Sequence, residues 1–139
     1  MKSERRKDIL EKISLKNKAQ SVKLRAALFE QQEQLEELHA LIERVVELKD
    51  NTDGRSCDDP SELRAARWYA LKLSEQLLVL ENRVEFIEAE IEELRSKSKA
   101  QSFRNAKLEQ LIDEAKSLIR SQKEQKLDKT QDFSRYAKP

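Results

Sequence analysis

A single glycine, two prolines, one cysteine, one histidine and seven aromatic residues are all that 139 positions hold of these types. With 40% charged residues and a mean hydropathy of −0.86, so sparse a set argues against a globular core. The lone Cys57 cannot close an internal disulfide, has no metal-ligand spacing around it, and reads as an incidental thiol rather than a nucleophile. His39 has no second His, Cys or Ser placed to help it, so it reads as a solvated helix residue rather than a base or a ligand. No glycine-rich loop is present to cradle a phosphate, and the chain is not expected to hydrolyse nucleotide. There is no apolar run near the roughly 18 residues of a spanning helix and no signal-peptide pattern, so a soluble, intracellular protein without direct membrane insertion is expected. No residues are assigned to catalysis, to a cofactor or to a metal: the acidic run Glu88, Glu90, Glu92, Glu93 points in several directions on a helix and reads as a solvated face.

Net charge is also nearly absent, at +1, but it is unevenly spread. Residues 1–25 carry nine basic and three acidic groups and residues 96–139 eleven and six, whereas 26–53 carry two and eight and 54–95 six and ten. Both ends are basic and the middle is acidic. A nucleic-acid binder would usually be basic overall, and no stacking aromatic lies in the basic half of the first helix, so no nucleic-acid partner is expected.

What the chain does have is periodicity. Leu63, Ala66, Ala70, Leu73, Leu77, Leu80, Val84, Ile87, Ile91 and Leu94, then Ser98, Gln101 and Asn105, then Leu108, Ile112, Ala115 and Ile119 step by threes and fours without a Gly or Pro. This spacing predicts one helix from about 61 to 127, roughly 90 Å of it along the seam at 1.5 Å per residue. A first helix is expected from about Ser3 to Lys49, with a seam of Leu28, Gln31, Leu35, Leu38, Ile42 and Val45. Its first half follows a shifted line, Ile9, Ile13, Leu15, Ala19, Val22, Ala26, which suggests a stutter and a looser contact. Residues 50–60 hold the only Gly and read as a loop, with Gly54 suited to positive φ and Asp59-Pro60-Ser61-Glu62 as the cap that restarts the helix. A short connection makes the helices antiparallel neighbours, so the fold class is all-α, a single antiparallel coiled-coil hairpin of two long helices spanning 1–139, with a frayed tail from 128.

Folding about the loop so that Val45 faces Ala70 puts Leu38 against Leu77, Leu28 against Ile87, and Asn17 and Ser14 against Ser98 and Gln101. In that register the first helix is used up near residue 110. The stripe Leu108, Leu111, Ile112, Ala115, Leu118, Ile119 is then left for another protein. Trp68, Phe86, Phe103 and Phe29 fall outside the seam, and Leu71, Leu78 and Val79 join Trp68 and Phe86 on the back of the second helix. A Trp-led strip of this type anchors a partner.

Ala65-Ala66-Arg67-Trp68 followed by Leu80-Glu81 resembles the opening of the second helix of the FliJ family, the flagellar export chaperones and ATPase stalks. Leu108-Glu109, the run from Gln122 to Asp128, Asp132-Phe133, Arg135 and Ala137-Lys138-Pro139 are similar to the basic tail of that family. Injectisome stalk proteins of the YscO type share the architecture. The resemblance implies a hairpin whose terminal end enters a hexameric export ATPase and whose other end reaches the export gate, a membrane protein with a cytoplasmic ring. It also implies handling of export chaperones and a cytoplasmic location, peripheral at the membrane export apparatus. Carried onto this chain, Arg5, Lys12, Leu118, Ile119, Arg120, Lys123 and Lys126 would face the ATPase, and Trp68, Leu71 and Leu78 the gate. The competing expectation is a structural coiled-coil scaffold or tether that self-associates. A stalk should be monomeric alone.

Overall fold

The computed structural model describes residues 2–53 and 59–136. It contains two α-helices, α1 (Lys2–Asp53) and α2 (Pro60–Tyr136), which pack against each other as an antiparallel coiled-coil hairpin. Gly54 and Cys57 lie outside the described residues. Both helices run longer than expected. Asp53 ends α1 four residues past Lys49, and α2 continues through the stretch expected to fray, with Thr130 Oγ1 donating to the Lys126 carbonyl at 2.7 Å. Residues 128–136 contain neither Gly nor Pro, so no backbone feature stops the helix there. At its other end α2 starts as expected: Asp59 accepts from the Ser61 N–H at 3.2 Å, and its own carbonyl receives the first helical bond from Leu63 N–H at 3.0 Å.

The chain divides into a central unit, Arg25–Ser96, and a terminal unit made of α1 as far as Leu24 and α2 from Lys97. In the central unit Leu38, Val84, Ile87 and Ile91 form a buried cluster, with Leu28, Leu35, Ile42 and Leu80 packed against it. The α2 seam is where the spacing puts it: from Ala66 to Ile119 every seam residue is buried or half-buried. The register is not. Leu38 belongs with Val84 and Ile87 rather than with Leu77, and Val45 lines a groove with Gln76, Val79 and Leu80 rather than facing Ala70. The pairing is displaced along α2 by about a heptad. The seam also holds a polar residue among apolar ones: Gln31, between Leu28 and Leu35, buries its Oε1 without a hydrogen-bond partner.

The terminal unit is displaced in the same direction. Asn105 Nδ2 donates to Ser21 Oγ at 2.9 Å, and Gln101 Nε2 donates to Asn105 Oδ1 at 3.2 Å. A polar layer forms as expected, but Ser21 rather than Asn17 or Ser14 makes the bond across it. The stutter in α1 is absent. Ser3, Lys7, Leu10, Ser14, Asn17, Ser21 and Leu24 are half-buried at continuous three-and-four spacing, while Ile9, Ile13, Leu15 and Val22 are exposed. The physical reason is continuity of phase. A helix that buries Leu28 to Val45 carries the same face down its earlier turns, and there the face is mostly polar.

Candidate partner-binding surfaces

The displaced register changes what is open to a partner. Leu108, Ile112 and Ala115 are each only 8% exposed, so the stripe expected to overhang is covered by α1 except at Leu118. Lys2, Ser3 and Arg6 of the first turns line a groove of about 400 Å³ with Leu111, Glu114, Ala115 and Leu118. Ile119 is half-buried at the last seam position, and beyond it every residue from Arg120 to Gln131 is exposed. The unpartnered part of α2 therefore begins about ten residues later than the spacing suggests, and it is cationic rather than apolar.

Of the residues assigned to an ATPase face, Arg5, Lys12, Arg120, Lys123 and Lys126 are exposed, Leu118 is half-exposed at the groove, and Ile119 packs toward α1. Lys126 lies beside Lys129, with Gln122 and Gln125, in a shallow depression of about 350 Å³. Sequence reasoning missed Lys2, Arg6 and Lys129. The signal for the first two was available only through the register, because it is Leu111 and Leu118 that bring α1's first turns to them. In all, the residues of the terminal unit carry nineteen basic and nine acidic groups, against nine and eighteen in the central unit.

In the central unit the Trp68 strip separates into two edges of α2. Leu71 and Leu78, seven residues apart, are exposed together on one edge. Val79 instead lines a groove of about 610 Å³ with Leu41 and Val45 of α1 and Lys72, Glu75, Gln76 and Leu80 of α2. Phe86 follows Val79 by one heptad and is exposed, so it shares the Val79 edge and not that of Leu78. Trp68 is joined to the groove rim: Lys72 Nζ stands 5.7 Å from its ring centroid and also 3.5 Å from Glu75 Oε2. Leu41 is the apolar lining residue that sequence reasoning missed. It lies seven residues from Leu48, outside the α1 seam, a repeat visible in the sequence.

Among the described residues, no group of three His, Cys, Asp or Glu side chains is placed to hold a metal ion, and no helix is long and apolar enough to cross a membrane. What the surfaces offer chemically is apolar contact and charge. No family model, curated protein or solved structure matches the chain.

Proposed function

We propose that this chain is a non-enzymatic component of a bacterial type III protein export apparatus, flagellar in kind, that binds a hexameric export ATPase through its terminal unit and the export gate through its central unit. The observation that carries the reading is the run of α2 beyond Ile119, a fully exposed helix bearing Arg120, Lys123, Lys126 and Lys129 against Glu124 and Asp128. A helix held by few, long-range charge contacts can engage a ring without locking onto one subunit, because exposed ion pairs are worth only about 1 kcal/mol or less each. Arg5, Lys12 and Leu118 belong to the same cationic unit. On the central unit, Trp68, Leu71 and Leu78 supply the apolar anchors for the gate. In this reading the protein performs no chemistry, handles export chaperones, and acts in the cytoplasm at the membrane export apparatus.

The test is stoichiometry and stimulation. Sedimentation with light scattering should give a monomer alone and one chain per ATPase hexamer in the mixture. The combined substitutions Arg120→Glu, Lys123→Glu and Lys126→Glu should weaken stimulation of the ATPase by about tenfold. Stimulation that survives charge reversal would remove the basis of the proposal. A second reading, a self-associating scaffold, is favoured by the Leu41–Val79 groove, since exposed apolar grooves of two hairpins can pair. A stable dimer indifferent to the ATPase would select it; the same stoichiometry with an injectisome ATPase would place the chain in that system.

A further inference from the structure

The apolar line of α1 that fails to form the seam faces outward, and its spacing is itself that of a coiled coil. In the terminal unit Leu15, Ala19 and Val22 step by four and three on an exposed face, with Leu15 69% and Val22 65% accessible. The sequence carries the same step onward to Ala26 and Phe29. Positions beside such a stripe decide which helix can pair with it. Here Lys16 and Lys23 border it along one edge and Lys18 along the other, with Lys12 at its start. Among the described residues none of these four lysines is in an ion pair. Glu11, the acidic group on the Lys18 edge, is paired with Lys7 at 3.9 Å. Lys18 and Leu15 also line a groove with Glu11, Ser14, Glu109, Ile112, Asp113 and Lys116, and on the outward line itself the acidic residue is Asp8, exposed one heptad before Leu15.

We infer that this outward face of α1 docks an amphipathic helix of another protein whose apolar stripe is bordered by acidic residues. A second copy of the same face is the wrong occupant, because isologous pairing would set Lys16, Lys18 and Lys23 against themselves. The inference does not rest on the export reading, since it uses neither the cationic end of α2 nor the Trp68 strip and shares only Lys12 with the residues assigned there.

A three-heptad synthetic helix with Leu at its seam positions and Glu at the flanking ones, dye-labelled and monomeric, is titrated with the full-length chain and followed by fluorescence anisotropy. A second peptide carries Lys in place of Glu. The Glu peptide should bind saturably, more weakly as salt rises, and the Lys peptide should not bind. Val22→Glu should weaken the Glu peptide about tenfold or more, while Phe103→Glu, an exposed apolar position elsewhere on the unit, leaves it unchanged. Lys16→Glu with Lys23→Glu should exchange the preference toward the Lys peptide. Circular dichroism checks that each variant keeps its helicity. Equal binding of both peptides, indifference to Val22→Glu, or a self-association of the chain that Val22→Glu abolishes would each overturn the proposal.

Discussion

Gln31 is the residue at which the observed pairing is least comfortable. Its amide oxygen is buried without a partner on a seam otherwise occupied by Leu28, Leu35, Leu38, Ile42 and Val45. An unsatisfied buried carbonyl costs about 1 to 3 kcal/mol, whereas an apolar side chain at the same place would add contact with the Ile87–Ile91 cluster. Gln31→Leu is therefore expected to raise stability by about 1 to 2 kcal/mol, read as a higher urea midpoint with an unchanged slope. An unchanged or lowered midpoint would mean that Oε1 is satisfied in solution. The polar layer of Ser21, Gln101 and Asn105 is different in kind, because its members bond one another and a partnered buried layer can specify register.

At the scale of the helix, what matters is which apolar residues are enclosed. Ile112 is buried against α1 and Ile13 is 42% exposed, although the sequence suggests the reverse for both. Ile112→Ala should cost about 2 to 4 kcal/mol and Ile13→Ala less than about 1, measured by chemical denaturation of each variant. Equal costs would restore the register in which Ile112 overhangs. The element ends were legible where a residue type dictates a conformation: Asp59-Pro60 begins α2 because the carboxylate caps the Ser61 N–H and the ring presets the first turn. They were not legible at Lys49 or Leu127, where apolar periodicity fades before the helix ends. Exposed turns rich in Lys, Gln and Arg need no buried face to stay helical beside a formed one.

Across the whole molecule, the two units differ in what they bury along α1. From Leu28 to Val45 the central seam is apolar at all positions but Gln31, whereas the terminal seam has Ser3, Lys7, Ser14, Asn17 and Ser21 with only Leu10 and Leu24. Burial of fewer methylenes leaves a smaller opening free energy. Amides of α1 between residues 7 and 21 should accordingly exchange with solvent about tenfold or more faster than those between 35 and 45, by native-state hydrogen exchange. Uniform protection would show that the polar layer compensates for the missing apolar area. A cationic terminal unit and an acidic central one also give the two proposed partners, ATPase and gate, distinct surfaces to meet.

Two helices, their antiparallel pairing and the α2 seam from Ala66 to Ile119 follow from the sequence by itself, because a 3.5-residue apolar repeat unbroken by Gly or Pro has one local solution. The outlying positions of Trp68, Leu71 and Leu78 follow in the same way, since they are fixed by spacing from that seam. Register and inward face do not. Sliding α1 by a heptad leaves most layers apolar against apolar, so the alternatives differ by a few contacts at Gln31, Ser21 and Asn105, and only the summed packing of both helices separates them. That choice covered Leu108, Ile112 and Ala115. Leu15 and Val22 face outward for a separate reason, that the phase of α1 is set where it buries most apolar surface, between Leu28 and Val45.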